Sequence, residues 1–175
     1  MPVKAFLDTN VLIYAVTEED PRSAQAEELL ASGGVLSVQV LNEFVSVAGR
    51  KILMSWSDVT QALDAFRILC PCPLPITVET HEAALRIAAR HGYNIFDALV
   101  IAAALEAGCV TLYSQDLHDV QTIDGQLTIR NPFAKSSGNE LFSRATTLYW
   151  NVRFAICGNY VSIGIASHIY PDRQP

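Results

Sequence analysis

Along residues 1–133, short apolar runs alternate with longer stretches in which apolar residues recur at helical spacing. Alternating strands and helices are typical of βαβ units, which build a parallel sheet covered by helices on both faces. The pattern therefore predicts an α/β fold. The predicted strands are Val3 to Leu7, Val35 to Ser37, Ile76 to Val78, Cys109 to Ser114 and Leu127 to Asn131.

Capping residues mark several helix ends. Asp20 is the predicted N-cap of one helix, with Pro21 at its first position and Gly33 as its stop. Gly92 is a second predicted stop. The segment 94–108 is apolar almost all round, which predicts a buried helix. Further helices are predicted from Thr9 onward, over 38–51, over Ser57 to Leu69 and over Thr80 to His91.

The composition is that of a globular protein with a substantial core. The chain has 175 residues, half of them hydrophobic and 17 % charged. After Phe133 the pattern changes, because "AKSSGNE" is typical of a linker and no convincing period follows it. We therefore divide the chain into a domain over 1–133 and a tail over 134–175, the tail being either an added element or the product of a displaced stop codon or shifted reading frame.

The formal net charge of -6 argues against broad binding to nucleic acid, which relies on clustered Lys and Arg. That argument weakens if acids are gathered to hold cations, since two divalent ions would bring the sum to about -2. No basic leader precedes the first apolar run, and the stretch 154–166 is too short to span a bilayer. We expect a cytoplasmic protein without a membrane partner.

Four acids fall where a parallel sheet binds ligands, beyond the carboxyl ends of its strands. Asp8 ends the first strand, and Asp116 follows the strand 109–114. Asp97 lies in the first turn of the buried helix, and Glu43 is the one acid of its helix. These four side chains are therefore candidates for a shared site.

Each acid also has a purely structural interpretation. Asp8 caps the following helix, Asp97 forms a capping box with Asn94, Asp116 starts an Asx turn, and Glu43 is solvated. The four together favour a site, because Asp97 opens a helix that is otherwise apolar and a buried carboxylate needs a cation or a proton. Hard oxygen ligands without neighbouring His or Cys indicate Mg²⁺ or Mn²⁺.

A carboxylate pocket with one or two such ions can lower the pKa of bound water and stabilise the oxygens of an in-line phosphoryl displacement. The chain carries no Gly-rich phosphate loop and no G-x-S-x-G elbow. An aspartyl-phosphate phosphatase would need a second Asp two residues after Asp8, where Asn10 stands. In-line phosphoryl displacement by activated water therefore remains the favoured chemistry.

Four fragments resemble, in order and spacing, the PIN-domain nucleases, and most closely the VapC-type toxins of toxin-antitoxin pairs. They are "FLDTNVLIYA", "NEF", "YNIFDALVIAAALEAGC" and "LYSQDLHDVQTIDGQLTIRNPF", and the similarity covers about residues 3 to 133. The resemblance implies a three-layer α/β/α sandwich with a central parallel sheet. It also implies a homodimeric, Mg²⁺- or Mn²⁺-dependent ribonuclease that acts on RNA and is inhibited by a cognate antitoxin protein.

Carried over position by position, the family's catalytic and metal-binding acids match Asp8, Glu43, Asp97 and Asp116. The polar residues that support them match Thr9, Asn10 and Ser114.

The chain departs from the family pattern in two places, one after "DL" and the other over 134–175, which has no counterpart in the short toxins of the family. Asp119 and Val120 occupy positions where a neutral polar residue and Gly are expected. Asp119 is either a fifth acid of the site or a solvated residue, and we favour the second.

Two other functions stay open. One is a housekeeping PIN nuclease that processes RNA, although no RNA-binding domain accompanies it, and the other is a non-catalytic partner-binding module whose acids are only caps and turns. For an RNA enzyme, specificity would come from loops outside the pocket, with Arg50, Lys51, Arg86 and Arg90 as candidate contacts.

Overall fold

The computed structural model describes residues 5–17 and 19–134. Its sheet has four strands in the order β1-β2-β4-β3. The strands are β1 (Ala5–Leu7), β2 (Thr111–Tyr113), β3 (Thr122–Ile123) and β4 (Leu127–Arg130).

The sheet is mostly parallel, as predicted, but not entirely. The pairs β1-β2 and β2-β4 are parallel, whereas β3 pairs antiparallel with β4. The reason is the tight turn at Asp124 and Gly125, both with positive φ, since so short a connection joins only antiparallel neighbours.

Two predicted strands are not formed. The segment Val35 to Ser37 makes only isolated bridges, from Val35 to Phe6 and from Ser37 to Leu74. The strand predicted over Ile76 to Val78 is wrong, because Thr77 caps a helix that begins at Val78. A side-chain cap there outweighs the strand preference of three β-branched residues.

In the part of the chain that the structure describes, six α-helices flank the sheet in a three-layer α/β/α arrangement. Helix α1 packs on α2 and α3, and α5 packs on α6. Within the described ranges, no helix is long and apolar enough to cross a membrane. The helices are α1 (Thr9–Ala15), α2 (Ser23–Ala31), α3 (Val38–Val47), α4 (Trp56–Leu69), α5 (Val78–His91) and α6 (Ile95–Glu106).

The helix ends agree with the capping signals except at the start of α2. Gly33 and Gly92 end their helices with φ of 77° and 76°, as predicted. The prediction that Asp20 is an N-cap is wrong, because α2 begins at Ser23 and its cap residue is Arg22. The Asp20 carboxylate instead accepts hydrogen bonds from the backbone and guanidinium of Arg22, which stabilises the preceding turn.

The core lies around the parallel strands. Phe6, Leu112 and Ile129, one from each of these strands, are fully buried. Helix α6 is buried from Ala98 through Ala104, as its apolar sequence predicts. The tail after Ala134 lies outside the described residues, so the domain boundary near Phe133 stays a prediction.

Candidate active site

Asp8 and Ser114 lie side by side where two parallel strands end. The register pairs Leu7 with Tyr113, so the next residue of each strand lies at the same edge of the sheet. Ser114 Oγ donates a hydrogen bond of 2.6 Å to Asp8 Oδ2. Asn10 Nδ2 donates to the same oxygen over 3.2 Å, and Thr9 N donates to Asp8 Oδ1 over 2.7 Å. The Asp8 carboxylate is thus held in one orientation and also caps α1.

Burial raises the pKa of Asp8 to about 6. The hydrogen bonds from Ser114 and Thr9 lower that pKa, and the charges of Glu43 and Asp97 raise it further. The ionised Asp8 side chain is therefore held in an unfavourable environment, which a proton or a cation would relieve.

Helix α3 brings Glu43 to the same region. Thr9 Oγ1 donates a hydrogen bond of 3.0 Å to Glu43 Oε2, and Gln39 Nε2 donates one of 2.6 Å to Glu43 Oε1. Glu43 is half-buried and both of its carboxylate oxygens accept hydrogen bonds, so it is more than a solvated helix residue. The sequence analysis does not identify Gln39, although it lies four residues before Glu43 on the same helix, a spacing at which side chains can meet.

Asp97 approaches from the first turn of α6. Asn94 is the N-cap, since its Oδ1 accepts hydrogen bonds from the backbone of Phe96 and Asp97, and its Nδ2 donates to Asp97 Oδ2 over 2.6 Å. Burial raises the pKa of Asp97, and the charges of Glu43 and Asp116 add to the rise. Asp97 thus combines a structural contact with electrostatic coupling to the other acids.

Asp116 is exposed at the start of the loop after β2. Its turn is made by Ser114, whose Oγ accepts hydrogen bonds from the backbone of Asp116 and Leu117 at 3.3 Å each, so the Asx turn predicted for Asp116 is wrong. Asp119 is exposed as well, and its Oδ1 accepts a hydrogen bond of 2.8 Å from Asn131 N. Asp119 therefore has a local structural role at the surface.

A cationic network that sequence reasoning missed lies near Asp116. Arg22 stacks over the ring of Tyr14 at 3.6 Å and donates hydrogen bonds to Tyr14 Oη and to Gln115 Oε1. Burial raises the pKa of Tyr14, the Arg22 charge lowers it, and the Asp116 charge raises it. The contacts join α1, the start of α2 and the loop after β2.

The donor set suits a hard divalent cation, but the acids do not form a closed cage. Every candidate ligand is a carboxylate, and the buried Asn10 Oδ1 has no hydrogen-bond partner. Yet in the part of the chain that the structure describes, no three Asp, Glu, His or Cys side chains are close enough to hold one ion together.

Comparison with known proteins agrees with this fold. Residues 5–122 match the family model described as "PIN domain". Mycobacterium tuberculosis VapC20, a sarcin-ricin loop cleaving toxin, is 24 % identical over 65 % of this chain and 90 % of its own, with a TM-score of 0.53. VapBC2 from Rickettsia felis, bound to a DNA fragment from its promoter, is 20 % identical over 73 % of this chain and 97 % of its own, with a TM-score of 0.54.

No curated protein matches the chain. The family match covers more than half of its residues, and it includes all four candidate acids at the ends of β1 and β2 and on α3 and α6. The chain belongs to the PIN domain family.

Proposed function

We propose that this protein is a divalent-metal-dependent RNA endonuclease and the toxin of a toxin-antitoxin pair. One observation carries the proposal: the buried carboxylate of Asp8, with its pKa raised to about 6, is coupled to the charges of Glu43 and Asp97 at a strand edge of a PIN domain. Such a group of acids is costly for folding alone. The same acids are useful where a protein has to hold a cation against a phosphate group.

The residues proposed to hold Mg²⁺ or Mn²⁺ are Asp8, Glu43, Asp97 and Asp116. When bound, the cation would lower the pKa of a water molecule and stabilise the negative charge of the phosphoryl group in transfer. Ser114 and Asn10 orient Asp8, and Thr9 links Asp8 to Glu43 through its backbone N and its hydroxyl. These polar residues position acids that lie far apart in sequence.

The toxin assignment rests on likeness to the VapC fold. The resemblance in sequence motifs and the similarity to VapC20 and VapBC2 support a protein that is inhibited by a cognate antitoxin. We propose a homodimer and cytoplasmic RNA as substrate on the same ground. A small DNA-binding protein encoded directly upstream would support the antitoxin partner.

The central test is cleavage of structured RNA by the full chain with Mg²⁺, with Mn²⁺ and with a chelator. We expect cleavage only with metal, and products with a 5′-phosphate, because water attacks the phosphorus and the 3′ oxygen leaves. Asp97→Asn should abolish cleavage, whereas Asp119→Asn, a surface acid, should not. Chelator-resistant cleavage that leaves a cyclic phosphate would instead show attack by the 2′-OH and refute the proposal.

The same assay separates the two other functions. A partner-binding module would cleave no RNA under any metal condition. A housekeeping nuclease would cleave RNA but would not stop growth when it is expressed in a bacterial host. A toxin should stop growth, and co-expression of the adjacent upstream gene should restore it.

A further inference from the structure

A line of polar side chains runs along α3 and the helical turn that follows it, from the acidic site toward the surface. Gln39, Glu43, Ser46 and Arg50 follow one another at spacings of four, three and four residues, which places neighbours on the same helix face. Gln39 is buried, Glu43 and Ser46 are half-buried, and Arg50 is exposed. The line therefore connects a ligand candidate of the site with a surface cation.

Arg50 is folded back along this line. Its Nη2 donates a hydrogen bond of 2.5 Å to Ser46 Oγ, and its Nε donates one of 3.1 Å to Ser46 O. Ser46 is only one helical turn beyond Glu43, so the guanidinium points back toward the acidic site rather than away from it.

The charge of Arg50 has no carboxylate partner in residues 5–17 and 19–134. In those ranges the arginines with an ion pair are Arg22, Arg67 and Arg90. Lys51, also exposed, follows Arg50 directly. A guanidinium with free donors beside a phosphodiesterase site is well suited to hold a backbone phosphate, because its fork matches two phosphate oxygens.

An exposed aromatic residue follows these cations in the chain. After α3 the chain makes a π-helical turn (Ala48–Ile52), Leu53 adopts a left-handed conformation, and α4 begins at Trp56, which is 78 % exposed. Trp56 follows Arg50 by six positions, so their Cα atoms are at most about 21 Å apart. A basic surface with an exposed indole is typical of proteins that bind single-stranded RNA by phosphate contact and base stacking.

We propose that Arg50 and Trp56 form an RNA-binding subsite next to Glu43, in which Arg50 binds a backbone phosphate and Trp56 stacks on an unpaired base. The subsite rests on the proposed RNA endonuclease function and would place the strand across the acidic site. A purely structural interpretation has Arg50 capping the end of α3, where a basic side chain satisfies carbonyls. That interpretation predicts an effect on stability and none on RNA binding.

The test measures RNA binding apart from cleavage. The full chain carrying Asp97→Asn is titrated into a fluorescein-labelled hairpin RNA with an unpaired loop, and anisotropy is followed over a series of salt concentrations. Arg50→Ala should weaken binding and reduce the slope of log affinity against log salt by about 0.7, as expected for one lost phosphate contact. Arg50→Lys should restore most of that slope.

Trp56→Ala should weaken binding about fivefold or more, and Trp56→Phe should keep most of the affinity, because base stacking needs an aromatic ring. With Trp150 changed to Phe, RNA should quench the fluorescence of Trp56, the remaining tryptophan. Matched controls are Arg67→Ala, an exposed arginine of α4, and Val78→Ala, an exposed first residue of α5. Both controls should bind as the parent does.

Unchanged affinity and salt slope in the Arg50 and Trp56 variants would overturn the subsite, even if the wild type cleaves RNA. So would a Trp56→Ala variant that changes oligomeric state by light scattering while RNA binding is unaffected, since the surface would then join two copies. A wild type that neither binds nor cleaves RNA overturns the proposed function and the subsite together. If an alanine variant does not fold, Arg50→Gln decides through its salt slope, and the Trp150→Phe protein decides through the quenching of Trp56 by RNA.

Discussion

Replacing Asp8 with Asn should remove a pH dependence from the folding stability of the metal-free protein. The pKa of Asp8 is about 6 in the folded protein against an ordinary value of 3.8, chiefly because the carboxylate is buried. The folded state therefore binds more protons than the unfolded state between these two pH values. The contribution of Asp8 to the free energy of unfolding is fully present below the lower value and is lost as pH rises through the higher one.

The magnitude follows from the size of the shift. A displacement of about two pKa units corresponds to a loss of about 3 kcal/mol in the free energy of unfolding between about pH 4 and about pH 7. Comparing the stability of wild type and variant at a single pH would be misleading. The NH2 group of the Asn side chain is a donor, and it would face either the N–H of Thr9 or the donors of Ser114 and Asn10. That mismatch does not vary with pH, so the difference in pH slope between wild type and variant isolates the charge.

The assay is urea denaturation followed by circular dichroism, in the presence of a chelator, at several pH values across that range. Asp64→Asn is the matched control, because Asp64 is exposed on α4 and should leave the wild-type slope unchanged. Mg²⁺ added near neutral pH should stabilise the wild type, because the cation neutralises the carboxylate charge that a proton neutralises at lower pH. The reasoning would be refuted if wild type and Asp8→Asn had equal slopes of unfolding free energy against pH. It would also be refuted if the wild type gained stability relative to the variant as pH rises.

Three further predictions concern separate parts of the chain. Asp97→Asn should leave the melting temperature of the metal-free protein equal or higher, because one of several like charges is removed. The variant should lose most of the stabilisation by Mg²⁺, which in the wild type is about 2.7 kcal/mol at a hundredfold excess of free metal over Kd. An undiminished Mg²⁺ shift in thermal melts would show that Asp97 is not part of the site. Val120→Gly should stabilise the protein by about 1 kcal/mol in urea denaturation, because exposed Val120 has φ of 66°, whereas Val110→Gly should not. A chain ended after Ala134 should keep metal-dependent cleavage, and an unfolded truncation would show that the tail belongs to the core.

The elements that the sequence predicts correctly are those decided by neighbours along the chain. The all-apolar segment of α6 has to be buried wherever it packs, and Gly33 and Gly92 end their helices because their local conformation favours Gly. The departure from the family pattern at Val120 is also a local effect, because the backbone there has the left-handed conformation for which the family pattern uses Gly. Local sterics and periodicity act over a few residues, so the sequence displays them directly.

Local signals also competed in ways that the pattern did not resolve. Ile76 to Val78 has strand-like residues, but the capping contacts of Thr77 with Thr80 start α5 there. The turn at Asp124 and Gly125 was visible, yet the two-residue strand before it was too short to be predicted from alternation. In both cases one or two side-chain or turn contacts outweighed the preference of a short segment.

The site itself was decided by the tertiary structure. The sequence supplies four acids and a family pattern, but only the parallel register of β1 and β2 brings Ser114 to Asp8, 106 residues apart, and only the packing of α3 on α1 joins Thr9 to Glu43, 34 residues apart. The raised pKa of Asp8 depends on that same convergence, because burial and the charges of distant residues create it. Electrostatic coupling acts through space, so its strength is determined by the packed fold and not by order along the chain.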